Sequence, residues 1–394
     1  MSKVLTRETI DELVPVYRDG LLKDVVPFWT KHAPDKEHGG FLFSLDRDGS
    51  VVSDDKPMWI HGRFVWLLSE LYAEVERNEA WLELARSGLE FMNAHAFDEE
   101  GRMHFLTTRD GRPLRQRRYI FTEAFATMAM AAYGRAANDR DVAEEAVELF
   151  KLLLKYQNTP GLLEPKVNPE TRPTKGLAIP MIVISTAQAL RKATDDPIAN
   201  EWIERSIEES CAFVNDELRC VLETVGANGE FIDTFDGRLL CPGHAIELAW
   251  FVLYEAKRKG GDKELLDYGL KILDFSFDRG WDEEYGGVIY YRDAKNLPPT
   301  EYWHDMKFWW PQNEAIIANL LAHQLTGDDK YAERFLRAHK WTHERFPDPE
   351  YGEWFGYLHR DGRLSTTLKG NHWKGPFHIP RMQLIVWKTL EELR

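Results

Sequence analysis

Apolar residues recur along this chain in two alternating periods. Trp66, Leu67 and Leu71, and then Trp81, Leu84 and Leu89, fall at the spacing of a helix with one buried face. Glycine turns interrupt these stretches, followed by short alternating runs such as Phe41-Leu42-Phe43-Ser44-Leu45, the period of a half-buried strand. The turn repeats as Asp35-Lys36-Glu37-His38-Gly39-Gly40-Phe41, Asp98-Glu99-Glu100-Gly101, Asp282-Glu283-Glu284-Tyr285-Gly286-Gly287 and Asp348-Pro349-Glu350-Tyr351-Gly352. Their first residues lie 63, 184 and 66 positions apart (98 − 35, 282 − 98, 348 − 282), and 184 is about three times 61. Pro160-Gly161 and Asn228-Gly229-Glu230-Phe231 fall near the missing phases. A second turn closes the hairpins at Asp48-Gly49, Asp110-Gly111, Asp236-Gly237 and Asp361-Gly362, and another helical stretch follows. A period this long marks one supersecondary unit used six times.

Six helix pairs with little sheet predict an all-α fold. The expected architecture is an (α/α)6 barrel, a toroid of six helical hairpins with short β-hairpins in the loops. Inner helices are predicted to begin near residues 59, 118, 175, 242, 306 and 374. The alternative is an open helical solenoid; six units without a distinct capping repeat favour closure. The repeat runs from end to end with no linker or low-complexity tract, so one domain spanning 1–394 is expected.

Composition narrows the function classes. A hydrophobic content of 43% with 14 Trp allows a large core, and a net charge of −15 argues against nucleic acid or an anionic membrane as partner. No stretch approaches the apolar length of a membrane span, and Met1-Ser2-Lys3-Val4 opens no signal-peptide core. Cys211, Cys220 and Cys241 are odd in number and lack metal spacing, which fits a reducing cytoplasm.

The candidate chemistry lies on the second helix of each unit. Arg63 follows Trp59-Ile60-His61-Gly62, and Glu123 stands in Phe121-Thr122-Glu123. Lys166 and Lys175 precede the third inner helix, and the fourth carries His244 and Glu247. Trp309, Trp310 and Glu314 belong to the fifth, and His378 and Arg381 to the sixth. Equivalent positions on repeated helices converge on one axis, so these side chains are expected around one pocket. His244 with Glu247, and His378 with Arg381, stand at i and i+3 and share helix faces. Metal binding is one reading of the His-x-x-Glu pair, but no third ligand has matching spacing and Arg381 opposes a cation at the second His. Acid–base work is another: a neutral imidazole takes a proton near neutral pH and returns it. The bland reading makes both core histidines, and their shared phase with the repeat weighs against it. Trp59, Trp309 and Trp310 could stack on a sugar ring, although most tryptophans fill cores. His61, His304 and His372 are further candidates at the mouth, and Glu123 could equally pair with Arg117 or Arg118.

Several of these segments together resemble one family. Asp35-Lys36-Glu37-His38-Gly39-Gly40-Phe41, Trp59-Ile60-His61-Gly62-Arg63-Phe64-Val65-Trp66, Phe121-Thr122-Glu123-Ala124-Phe125 and Phe377-His378-Ile379-Pro380-Arg381 are similar to the N-acylglucosamine 2-epimerase family. The match runs from about residue 10 to 392. The resemblance implies an (α/α)6 barrel and proton exchange at C2 of a ring-opened sugar. It places the two acid–base roles on His244 and His378, and substrate oxygens on Arg63 and Arg381. Glu247 and Glu314 would hold the histidines or sugar hydroxyls, and Lys166 is a weaker match. Cellobiose epimerases carry a further His on the third inner helix. Here that helix reads Gly176-Leu177-Ala178-Ile179-Pro180-Met181-Ile182, an apolar wall suited to an acetamido methyl. N-acylglucosamine and N-acylmannosamine are therefore the expected substrates. Aldose–ketose isomerisation of a free sugar is the nearest alternative; a glycoside hydrolase or a sugar-binding protein are those of another class. The chemistry requires no cofactor. Some such epimerases use ATP as an activator, but this sequence has no Walker-type loop for it. Members are often dimers, so the resemblance carries a homodimer as the oligomeric expectation.

Overall fold

The computed structural model describes residues 2–117 and 119–394. Its first helix, α1 (Arg7–Asp19), continues through a π-helical segment at Gly20–Val25 into Val26–His32. Eleven helices follow: α2 (Met58–Glu74), α3 (Glu79–His95), α4 (Phe121–Ala137), α5 (Arg140–Asn158), α6 (Ala178–Ala193), α7 (Ile198–Ser210), α8 (Pro242–Arg258), α9 (Lys263–Gly280), α10 (Trp309–Thr326), α11 (Asp329–His343) and α12 (His378–Leu393). The even-numbered helices pack against one another in sequence as an inner ring. Each has an outer partner, α2 with α3 and so on round to α12 with α1. Inner helices begin within a few residues of the predicted positions. The predicted start at 118 falls on Arg118, outside the described residues; that helix is assigned from Phe121.

Burial separates the two rings. The outer helices α3, α5, α9 and α11 bury one stripe and leave charged residues outside, whereas α4 and α10 are buried along almost their whole length. Capping differs as well. Thr6, Asn78, Asp139, Asp262 and Asp328 cap α1, α3, α5, α9 and α11 with their side chains, whereas none of the six inner helices has a side-chain N-cap. The inner helices run parallel, so their uncapped N–H groups and positive dipole ends gather at one end of the ring.

The repeated Asp turn has a physical role. The Asp35, Asp282 and Asp348 carboxylates accept from the backbone N–H two residues on, at 3.1 Å in each case. Each also takes a fully buried lysine: Lys56 and Lys307 at 3.0 Å, Lys369 at 2.9 Å. An arginine from the following hairpin then grips each carboxylate in bidentate fashion: Arg109 on Asp35, Arg360 on Asp282 and Arg47 on Asp348. Burial works against the charge on Asp35 and Asp282, but these donors hold both well below the usual carboxylate range; at Asp348 the Arg47 bonds are the largest influence in that direction.

Arg47 belongs to the first unit and Asp348 to the last, so this clamp closes the ring. Leu45 reinforces the closure, donating to Gly370 O at 3.2 Å and accepting from Lys369 N at 2.9 Å. Trp29 Nε1 donates to the buried Glu353 carboxylate at 3.1 Å. An open solenoid would leave these groups unpaired, and that alternative is rejected. Gly49, Gly111 and Gly362 adopt the positive φ of the predicted second turns, but Asp236-Gly237 lies in a short helix, Phe235–Arg238. The turn of that unit is Asn228-Gly229 instead, with Gly229 at φ 86°. Among the described residues no helix is long and apolar enough to cross a membrane.

Candidate active site

Arg63, Glu247 and Glu314 are each the sixth residue of an inner helix, and His244, His378 and Arg381 lie in the first turn of theirs. All six therefore stand at the end of the ring where the uncapped N-termini gather. The bonds place most of them in one network. Arg381 Nη2 donates to Glu247 Oε1 at 2.5 Å and to Glu314 Oε1 at 2.7 Å. His378 Nδ1 lies 2.7 Å from the same Glu314 oxygen, and Trp250 Nε1 donates to Glu314 Oε2 at 2.7 Å. A carboxylate has only acceptor sites, so Nδ1 carries the proton and Nε2 of His378 is left free.

Trp310 packs against both histidines. Its ring centroid is 5.0 Å from that of His244 and 5.7 Å from that of His378. The indole fits because position 243 is glycine: a Cβ there would stand 2.6 Å from it. Trp309 presents an edge to His378 at 6.2 Å. Arg63 lies over the rings of Trp59, Phe125 and Phe377 at 4.3, 4.0 and 5.0 Å. No carboxylate pairs with it among the described residues, and its Nε is buried without a partner. Burial lowers its pKa to about 9, with Glu247 opposing that and Arg381 adding to it, so it remains a cation at neutral pH.

The histidines are driven in opposite directions. Burial pushes His378 well below the ordinary imidazole value; the Arg381 charge adds to this and Glu247 opposes it. Burial also acts against a charged His244, but Cys241 and Glu223 outweigh it and raise this imidazole well above its ordinary value. Burial raises the Cys241 thiol itself, and the His244 imidazole pulls it back down. Glu223 lies 3.0 and 3.1 Å from His244 Nδ1. The two imidazoles are thus pushed in opposite directions beside the same indole, His378 toward the neutral base and His244 toward the protonated acid.

Several expectations are corrected by these contacts. The partner of His244 is Glu223, whereas Glu247 turns to Arg381. Glu123 does not join the cluster. It accepts from Arg102 Nε at 2.7 Å and Met103 N at 3.0 Å, neither Arg117 nor a substrate position; Arg118 lies outside the described residues. His61 is a core residue: Nε2 accepts from Phe41 N and Nδ1 meets Pro57 O, and burial lowers its pKa to about 3. Gln312 does the same work for Val288. These inner-helix polar residues hold the glycine turns of their own units. Lys166 is exposed and rests on the Tyr119 ring at 4.6 Å, with no hydrogen bond to the cluster among the described residues.

Glu223 was missed. Its backbone meets Leu177, just before α6, where Leu106 and Tyr357 pair with the residues before α2 and α10. A charge in a strand slot that other units fill with Leu or Tyr was the available signal. The second group of potential ligands, Glu247, Glu314 and His378, is no metal centre, because the Arg381 guanidinium already neutralises both carboxylates. The same contact removes the hydrolase alternative: carboxylates locked on one nitrogen cannot serve as a free acid and base.

Comparison with known proteins follows the same direction. The family profile described as N-acylglucosamine 2-epimerase (GlcNAc 2-epimerase) matches residues 39–379. The N-acylglucosamine 2-epimerase of Bos taurus is 37% identical over 98% of this chain and 94% of its own length. That of Homo sapiens is 38% identical over 91% of this chain and 86% of its own. The solved structure of cellobiose 2-epimerase from Spirochaeta thermophila shares the fold, with a TM-score of 0.85, 21% identity and 99% of each chain covered.

Proposed function

Because the chain belongs to the N-acylglucosamine 2-epimerase family, we propose that it interconverts N-acyl-D-glucosamine and N-acyl-D-mannosamine by moving the proton on C2 of the open-chain sugar. The observation that carries the reading is the pair of histidines packed against Trp310, one held toward the neutral form and the other toward the charged form by their neighbours. A C2 epimerase needs a base on one face of the carbon and an acid on the other. In one direction Nε2 of His378 takes the C2 proton, the C2–H electrons form the C1–C2 double bond, and the carbonyl electrons move onto O1, giving an enolate that keeps the acylamino nitrogen on C2. His244 returns a proton from the opposite face. In the other direction the roles reverse, and proton exchange with solvent resets the pair.

The negative O1 of the enolate needs fixed positive charge. Arg63 supports this role because it is a buried cation without an ion pair. The uncapped inner N-termini add their dipoles in the same sense. Arg381 already holds Glu247 and Glu314, so its part is to position His378. The first turn of α6 brings no charged side chain, and Ala178 and Ile179 there are partly exposed, an apolar contact for the acyl methyl. One domain spanning 1–394 remains part of the reading. Nothing in the site calls for a cofactor in the proton transfer.

Incubation with N-acetylmannosamine in D2O tests the reaction. Deuterium at C2 of both epimers is the expected result. Formation of a ketose without the C2 epimer would replace the proposal with an aldose–ketose isomerase.

A further inference from the structure

Three potential metal ligands, a thiol, an imidazole and a carboxylate, converge beside the catalytic cluster. Cys241 is the last residue before α8 and His244 is the third residue of that helix, so one turn carries both. Glu223 reaches them from the adjoining strand segment. Its backbone is pinned on both sides, donating to Leu239 O at 3.1 Å and accepting from Leu177 N at 3.0 Å. One ligand atom from each of the three lies within 4.8 Å of the others. The His244–Glu223 edge is already 3.0 Å. Around zinc, with bonds of about 2.0 Å to nitrogen and about 2.3 Å to sulfur, tetrahedral ligand atoms stand roughly 3.3–3.7 Å apart. Closing the wider edges needs about 1 Å of side-chain rotation.

The surroundings favour a cation here and not at the neighbouring carboxylates. Arg381 fills the Glu247–Glu314 pair, whereas Glu223 has no Lys or Arg ion pair among the described residues. Cys241 is buried, while the His244 and Glu223 side chains keep 28% and 14% of their surface, so an ion reaches the group from solvent on their side.

We propose that Cys241, His244 and Glu223 form an inhibitory site for a thiophilic divalent cation, Zn2+ being the type ion. Binding releases the thiol proton, and any proton on the coordinating ring nitrogen, to solvent. A coordinated imidazole cannot shuttle the C2 proton, so occupancy of the site and turnover exclude one another. This consequence rests on the acid–base role given to His244; the site itself does not.

The test titrates Co2+ into the full-length protein and reads the thiolate-to-metal charge-transfer band, with Zn2+ as competitor. Zn2+ inhibition is measured alongside, each protein against its own metal-free rate. One ion per chain, a band lost in Cys241→Ser but kept in Cys211→Ser, and inhibition weakened at least about tenfold by Cys241→Ser are expected, since loss of even an outer-shell partner costs about that much affinity. A band that survives Cys241→Ser, or inhibition that variant leaves unchanged, overturns the proposal. A Cys241-dependent band in an enzyme that still epimerises at full rate when loaded upholds the site but overturns the inhibition, and with it the role of His244.

Discussion

Replacing Glu314 by Gln keeps the shape of the side chain and removes its charge. In the native cluster one carboxylate oxygen receives His378 and Arg381, both at 2.7 Å, and the other receives Trp250 at 2.7 Å. A glutamine carbonyl can serve one side only, and its NH2 must then face a donor. The deeper loss comes during turnover. As His378 takes the C2 proton it becomes an imidazolium 3.3 Å from the Arg381 guanidinium, and Glu314 is the anion touching both. A hydrogen bond to a charged partner contributes about 1.5–3 kcal/mol. At about 1.4 kcal/mol per factor of ten this predicts a kcat lower by roughly 10- to 150-fold. KM should change less than about threefold, because Glu314 is fully buried behind His378 and the loss is of an interaction that strengthens only in the transition state. The assay follows both anomeric proton signals by NMR, with thermal melting on the same samples. A folded Glu314→Gln protein with kcat within about threefold of the parent would refute the view that Glu314 sustains His378.

The histidines themselves should each cost about 10²–10⁴-fold when changed to Asn. His378→Asn and His244→Asn should retain C2 deuterium exchange on opposite epimers, and exchange on the same epimer in both would contradict two-faced proton transfer. The rate profile with pH should be broad. The base limb falls below the ordinary imidazole pKa, since His378 is lowered and must be neutral; the acid limb falls above it, since His244 is raised and must be protonated. Glu223→Gln should move the alkaline limb to lower pH, and an unmoved limb would separate Glu223 from His244. Lys374 and Glu353 form a fully buried pair at 2.7 Å, so Lys374→Met should lower unfolding free energy by about 3–5 kcal/mol in urea titration, and a change under about 1 kcal/mol would refute a structural role.

The repeat, the twelve helices, the inner-helix starts and the phase of Arg63, Glu247 and Glu314 were legible in the chain, whereas Glu123 and Arg381, expected in that phase, stand third and fourth on their helices. They are properties of local period, and a helix turns every residue at a given phase toward the same axis wherever it stands in the ring. The buried lysines Lys56, Lys307 and Lys369 were not anticipated, because a lysine beside a turn reads as solvated until the Asp carboxylate that takes it is seen in space.

What period cannot specify is which neighbour each side chain meets. Glu123 and His61 carry the same kind of polar group as Glu247 and His378, yet they bond the glycine turns of their own units, because those turns fold back over the helix start and leave an N–H to satisfy. Glu247 shares a helix face with His244 but is claimed by Arg381 from α12, and Glu223 arrives from a strand 21 residues before its partner. Sequence by itself determined the ring, its units and the end at which chemistry collects. The pairing of charges across that end, and with it the opposite pull on the two histidines, was decided only when closure brought separate helices within hydrogen-bond reach.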